Sequence, residues 1–341
     1  MREAVTLAPH RVELREVTEP RPGAGEALIR IERVGICGSD VHLYHGAHPY
    51  ATYPRVQGHE AAGRIVAFGT GYEGELGEGE RVSIEPLIPC GDCYPCRLGR
   101  RNCCVKLKVL GAHVDGTFRE YVSVPFTMIY ASGDLTAEQA ALVEPVSIGV
   151  QAVHRGAIVA DEQVLVVGAG PIGAGIALAA VDRGARVMVA DRLASRLDLV
   201  RHLGVERTVD ASSEDVGAAV RDWTGGDGAH VAIDAVGAPA VIRQCAELVA
   251  SAGRVVIVGL SMQEVSLPVI GFTRKEMTIL GSRNNAGLFG EAVALVGRHR
   301  EQLTKMITHR YPLEELPAAL QLAAEHPEQV EKVMIEVAGG T

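Results

Sequence analysis

Apolar and polar residues alternate in short runs from about Arg11 to Val124, as in Ala27-Leu28-Ile29-Arg30-Ile31, and Gly and Pro clusters break the runs. A period of two that restarts after each turn signal predicts half-buried strands in a β-rich, barrel-like unit. Thr136 and Gln139 then form a capping-box pair ahead of the apolar run Ala140-Ala141-Leu142-Val143, which predicts a helix leading out of that unit. From about Gln163 the pattern changes to wholly apolar runs, Val164-Leu165-Val166-Val167, Val187-Met188-Val189-Ala190, Val231-Ala232-Ile233 and Val255-Val256-Ile257-Val258, with helical segments between them. Buried strands alternating with helices predict a parallel, doubly wound sheet, so the fold class is α/β. After about Asn285 the pattern predicts two amphipathic helices and a strand, Lys332 to Val337, folding back onto the first unit. The loop Gly69 to Glu80 is too short for a linker, and no internal repeat or low-complexity tract interrupts the chain.

With 341 residues the chain exceeds what one hydrophobic core comfortably serves, so two domains sharing a cleft are expected, and an apolar content of 47% supports this. The chain lacks an apolar run of about 18 residues, and its N-terminal stretch MREAVTLAPHRVELREV is too polar for a secretory leader. Neither membrane nor export is expected, and the cytosol is the expected compartment. Lys plus Arg number 33 against 42 Asp plus Glu, a net charge of −9 with no basic block, which argues against nucleic acid as a partner. In a reducing compartment the seven cysteines read as metal ligands or buried thiols rather than disulfides.

Gly168-Ala169-Gly170-Pro171-Ile172-Gly173 sets G-x-G-x-x-G between a predicted strand and the small-residue helix Ala174 to Ala180. In that context Gly168 makes the tight turn, Gly170 lets the backbone approach a pyrophosphate, and Gly173 permits close helix packing, while the helix N-terminus faces the phosphate. The plain alternative is a glycine turn without a ligand. Asp191 ends the next strand, where a carboxylate accepts from the adenosine ribose hydroxyls and repels a 2′-phosphate, so NAD is expected over NADP. Arg192 follows at once and would tolerate a phosphate, and Arg196 is a further candidate on the cofactor. Val236 with Gly237, and Gly259 with Leu260, end later strands and are expected to line the nicotinamide, ordinary strand-to-loop turns being the alternative.

Cys90, Cys93, Cys96 and Cys104 read C-x2-C-x2-C-x7-C, with Gly91, Pro95 and Gly99 supplying turns. Four thiolates so spaced close a tetrahedral shell with no open position, as in a structural zinc. Cys103 competes with Cys104 for the fourth place, and an iron–sulfur cluster is the less favoured occupant. A second, dispersed set comprises Cys37, His59, Glu60 and Glu144. One sulfur, one imidazole and one or two carboxylates would leave a position for water or substrate, as catalytic zinc requires, although a lone Cys or His is more often a packed core residue.

Together Gly58-His59-Glu60, Cys37-Gly38-Ser39-Asp40, the four-cysteine lobe and the central glycine motif, in their chain setting, resemble the zinc-dependent medium-chain dehydrogenase/reductase family over nearly the whole chain. The resemblance implies a GroES-like catalytic domain from residues 1–147 and 286–341, with its zinc lobe at about 88–106, and a Rossmann NAD-binding domain at 148–285. Glu144 stands where yeast- and liver-type alcohol dehydrogenases place a cysteine, so the polyol branch, sorbitol and threonine dehydrogenase-like, is nearest. Tyr53-Pro54-Arg55-Val56, Glu144-Pro145-Val146-Ser147-Ile148-Gly149 and Ser282-Arg283-Asn284-Asn285-Ala286 look like the bacterial L-gulonate and L-galactonate 5-dehydrogenases.

That family pattern implies two zinc ions per chain, with Cys37 and His59 as ligands and Glu60 and Glu144 binding directly, through water, or alternately. Asp40 would hydrogen-bond the far nitrogen of His59. Zinc would bind the substrate hydroxyl and lower its pKa, so that the carbon releases hydride to the nicotinamide. Ser39 would take the proton and His42 pass it through the cofactor ribose to solvent, although His42 also reads as a surface histidine. The stretch His42 to Tyr50 would line the pocket or form an exposed loop, and Arg283 would pair with a substrate carboxylate or make a structural salt bridge. The expected substrate is a small hydroxylated molecule, a sugar acid or polyol, with an L-threonine 3-dehydrogenase-like activity as the rival. A non-catalytic zinc- and NAD-binding protein and a zinc-free quinone reductase-like member are disfavoured by Cys37, Ser39, His42 and His59 standing together. The family also implies a homo-oligomer, dimer or tetramer, with Val265 to Ser282 extending the sheet across the interface.

Overall fold

The computed structural model describes residues 1–48 and 52–338. The chain divides into two compact units, Met1–Glu144 with Phe289–Thr341, and Pro145–Leu288. In the first unit the strands Arg11–Glu16, Arg2–Ala8 and Arg55–Val56 form a small sheet in that order. A seven-stranded sheet is built on Glu26–Gly35, which pairs antiparallel with Glu60–Phe68, Tyr121–Pro125 and Lys332–Glu336. Its apolar side chains, among them Ile29, Ile65, Ile84 and Ile335, are almost fully buried and form one core with Phe118 and with Leu316 and Leu320 of the helix Leu316–Glu325. Thr136 caps the helix Ala137–Ala141 with the expected reciprocal pair, Gln139 N–H donating to Thr136 Oγ1 and Thr136 N–H to Gln139 Oε1.

Two strand registers converge on Gly35. It sits opposite Glu60 on one side and opposite Met334 on the other, so three segments far apart in the chain meet at the end of one strand.

The second unit carries a six-stranded sheet whose neighbours all pair in parallel. Counted within the unit, its spatial order is third, second, first, fourth, fifth, sixth, the doubly wound order of dinucleotide-binding sheets. The order reverses at the first strand, Gln163–Val167, all of whose side chains are buried. Such an order opens a crevice at the carboxyl ends of its central strands, where the glycine motif lies.

Some elements differ from the pattern reading. The first sheet begins at Arg2 rather than near Arg11, and the strands Arg207–Asp210 and Ile307–Pro312 were not expected. Among the described residues after Asn285 there are three α-helices, Phe289–Arg298, Arg300–Thr304 and Leu316–Glu325, and two strands, where two helices and one strand were expected. Arg207–Asp210, Thr278–Gly281 and Ile307–Pro312 end their sheets' strand orders, and their polar, partly exposed residues lack a continuous apolar run. Within Val265 to Ser282 lie the helix Val269–Lys275 and the end strand Thr278–Gly281. No helix among the described residues is long and apolar enough to cross a membrane.

Candidate active site

Cys37 is the N-cap of the helix Gly38–Tyr44, in an extended conformation that ends the strand Glu26–Gly35 and starts the helix. Its N–H donates to Asp40 Oδ2 at 2.9 Å, closing the first turn. His59 and Glu60 are buried at the start of Glu60–Phe68, which the Gly35 register sets beside Cys37. One ligand atom from each of Cys37, His59 and Glu60 lies within 4.8 Å of the others.

Glu144 stands in the first turn of the helix Val143–Arg155, buried and within electrostatic reach of His59, Glu60, Lys332 and Asp40, but outside that close group of three. Asp40 Oδ2 approaches His59 Nδ1 to only 4.0 Å, so the expected hydrogen bond is not made. The other carboxylate oxygen, Oδ1, instead accepts from Gly58 N–H at 3.1 Å, and the Asp40 carbonyl accepts from Gln57 Nε2 at 2.8 Å. Asp40 thus ties the helix start to the loop carrying His59.

The sequence reading missed Lys332. Its ammonium, 2% exposed, donates to both oxygens of Glu60 at 2.6 and 2.7 Å and to the Ile36 carbonyl at 3.2 Å. Gly35 was missed too: a Cβ there would overlap Glu60 Oε2, so the missing side chain is the space the carboxylate occupies. The available signal was a lone cation opening the apolar run Val333-Met334-Ile335.

The donor set fits a divalent cation of borderline softness. Glu60, Glu144 and the Cys37 thiol act on the Lys332 ammonium, and His59 and Asp40 lie within reach of Glu144, so the largely buried group holds an excess of acidic side chains. Titration reflects this setting. Burial pushes the Asp40 and Glu144 carboxyls up, Glu144 to about 7. Burial disfavours charge on His59, but Asp40, Cys37 and Glu144 outweigh it and hold the ring well above the usual histidine range.

Ser39 and His42 lie three residues apart on the helix behind Cys37, Ser39 half-buried and His42 exposed. His48 is half-buried, and burial, reinforced by His113, His42 and His59, keeps its ring below the usual range. Pro49 and Tyr50 of the expected pocket stretch lie outside the described residues.

In the cysteine lobe Cys93 caps the short helix Tyr94–Arg97, and Gly91 and Gly99 adopt positive φ of 81° and 74°. Cys90, Cys93, Cys96 and Cys104 converge, with Sγ pairs at 3.4 Å for Cys93–Cys96 and Cys90–Cys104. Cys103 is not in the group. The N–H groups of Cys90 and Lys106 donate to Cys104 Sγ at 3.3 Å, which favours its thiolate. Against the effect of burial, N–H donors from Val105 and Cys96 draw the Cys93 thiol down to about 6.

In the second unit Gly168 turns at φ 103°, where a Cβ would meet Val236 Cγ2 at 2.8 Å. Gly170 is the N-cap of the helix Pro171–Asp182 and no side chain caps that end, so its first N–H groups remain for an anion; a Cβ on Gly173 would overlap the Gly168 carbonyl. Pro171 and Ile172 are half-buried at this helix start. Asp191 Oδ2 accepts from Ala169 N–H at 2.7 Å and Oδ1 from Leu193 N–H at 2.8 Å, so this carboxylate also holds the glycine turn in shape. Arg192 is exposed, and half-buried Arg196 has Nη1 3.6 Å from where a Gly170 Cβ would stand. Val236, Gly259 and Leu260 lie just beyond the carboxyl ends of two adjacent strands, with Leu260 92% exposed. Arg283 is exposed on the loop after Thr278–Gly281.

An uncapped helix end behind a glycine turn, with a carboxylate on the next strand, defines a dinucleotide-binding unit, and the other unit carries two groups of side chains that could each hold a metal ion. The family description "Alcohol dehydrogenase GroES-like domain" matches residues 23–134, and "Zinc-binding dehydrogenase" matches residues 171–298. The chain belongs to the zinc-type alcohol dehydrogenases, the medium-chain family that includes the polyol dehydrogenases, and it is an oxidoreductase. It is 42% identical to L-galactonate-5-dehydrogenase of Escherichia coli K12 over 87% of both chains, and 35% identical to L-threonine 3-dehydrogenase of Pyrococcus furiosus over 90% of both. Among solved structures it is similar to RspB of E. coli CFT073, an alcohol dehydrogenase complexed with NADH, at 33% identity and a TM-score of 0.92 over 99% of each chain.

Proposed function

We propose that this dehydrogenase uses zinc and NAD to oxidise a secondary alcohol of a sugar acid or polyol. The observation that carries the reading is the Cys37–His59–Glu60 group, with a half-buried thiol beside a buried imidazole and carboxylate and an excess of acidic side chains, a donor set suited to an ion that keeps a position open for substrate. Cys37 and His59 hold that ion, with Glu60 and Glu144 beside it, and Cys90, Cys93, Cys96 and Cys104 hold a second, structural one. When bound, zinc polarises the substrate hydroxyl and NAD accepts hydride from its carbon. Ser39 takes the hydroxyl proton, and His42, exposed on the same helix face, passes it to solvent.

The N–H groups behind Gly170 receive the pyrophosphate, and Asp191 accepts from the ribose hydroxyls and so favours NAD over NADP. Val236, Gly259 and Leu260 flank the nicotinamide, with Arg192 and Arg196 near the adenosine end. A sugar acid is supported by the L-galactonate-5-dehydrogenase relative, and Arg283 supplies a guanidinium for its carboxylate. The enzyme works in the cytoplasm as a homo-oligomer.

The threonine dehydrogenase relatives support a second reading, with L-threonine as substrate. The deciding experiment follows NADH formation by zinc-replete protein offered sugar acids, polyols and L-threonine, with NADP in parallel. Turnover of a sugar acid or polyol with NAD supports the first reading, and turnover of L-threonine alone replaces it with the second. Silence across the panel with both metals and NAD bound refutes both.

A further inference from the structure

We infer that Lys332 is the positioning residue that holds the Glu60 carboxylate back from the ion of the Cys37–His59 site; the inference rests on the zinc reading of that site. An ammonium has three donors, and here all three are used, two on Glu60 and one on the Ile36 carbonyl. None remains for a substrate, and at 2% exposure the group is buried, so Lys332 acts through Glu60 rather than on the reacting atoms.

The Glu60 carboxylate stands between two claims. One of its oxygens lies within 4.8 Å of ligand atoms of Cys37 and His59, while both accept short, charge-assisted bonds from Lys332. A metal and an ammonium compete for the position of the same two oxygens. The backbone sets the terms of that competition. Lys332 opens a strand whose Met334 faces Gly35, Gly35 faces Glu60, and Ile36, which accepts the third bond, precedes Cys37. The ammonium is therefore fixed to the same strand end as the ligands and cannot drift as a surface lysine does. The bare Gly35 position gives the carboxylate room on the Lys332 side.

A buried ion pair adds little stability over an apolar pair of equal volume, so fold stability alone is a weak reason for this one. Its specific effect is to leave a coordination position open that a free Glu60 would fill. Removing the ammonium leaves the carboxylate buried without a partner, and the ion is the cation within its reach.

The test places cobalt(II) in this site while the cysteine lobe keeps zinc, and reads the visible spectrum and kinetics of the full enzyme. In Lys332→Met the added carboxylate raises the coordination number, so the visible bands lose intensity and kcat falls with KM for NAD unchanged. The double variant Lys332→Met with Glu60→Gln regains the wild-type spectrum, and Lys332→Arg keeps it. Lys332→Gln carries the same prediction if the methionine variant does not fold. Coincident spectra for wild type and Lys332→Met, both loaded, overturn the inference and leave the zinc reading standing. A wild-type enzyme that takes no cobalt outside the cysteine lobe overturns the zinc reading and this inference with it.

Discussion

The two ligand clusters of the first unit are built in opposite ways. The cysteine lobe draws its four thiols from fifteen consecutive residues, Cys90 to Cys104, and rests on a small core of Leu87, Leu107 and Cys104. The Cys37 site collects its groups from the ends of the strands Glu26–Gly35, Glu60–Phe68 and Lys332–Glu336 and from one helix start, mixes sulfur, nitrogen and oxygen, and packs them beside a buried lysine. A uniform local shell is suited to holding a loop in shape. A mixed group assembled at long range suits an ion that must also take up a substrate.

That contrast can be broken most severely at Cys37. Cys37→Ser should abolish turnover and lower the zinc content from about two to about one per chain while thermal unfolding changes little. Metal analysis beside calorimetry checks this, and retained activity with full zinc would refute the assignment. Cys96→Ala should do the reverse: destabilise by about 4 kcal/mol or more, with the midpoint no longer sensitive to chelator, and leave the surviving folded protein able to bind metal at Cys37. Gly35→Ala is intermediate. Its methyl group displaces the Glu60 carboxylate, and we expect about 10- to 100-fold lower kcat at a stability cost of about 1–3 kcal/mol, separated by steady-state kinetics and denaturant melts.

The smallest effect concerns ordinary charge away from both clusters. Buried Glu32 accepts from Arg64 at 3.0 Å and Arg81 at 2.8 Å; burial alone would raise its pKa, but the two guanidiniums outweigh burial and hold it below 4.5. A depressed folded pKa means the contribution is complete above the unfolded value and fades as pH falls through the folded one. Wild type should therefore lose stability below about pH 4.5 more steeply than Glu32→Gln, by roughly 1 kcal/mol. Parallel slopes in melts across that range would remove the pair from the account.

Much of this architecture is written in local pattern. The runs beginning at Val164, Val187, Val231 and Val255 are buried on both faces, and so read as strands without alternation. The strands Arg207–Asp210 and Ile307–Pro312 escaped because they close the edges of sheets and keep polar residues on one side. Spacing favours Cys104 over the adjacent Cys103, and the turn Arg101–Cys103 ahead of it brings Cys104 into the group.

By itself the sequence determined the strand-turn-helix with its glycines, the four-cysteine spacing and the acidic balance, because each depends on neighbours within a few residues and on fixed side-chain chemistry. Only the tertiary structure decided that Glu60 answers to Lys332, 272 positions away, that Gly35 makes room for that pair, and that Asp40 braces the loop of His59 without bonding its ring. The Glu60–Lys332 pairing depends on strand register, and a shift of one residue would turn Glu60 or Lys332 to the opposite face of the sheet.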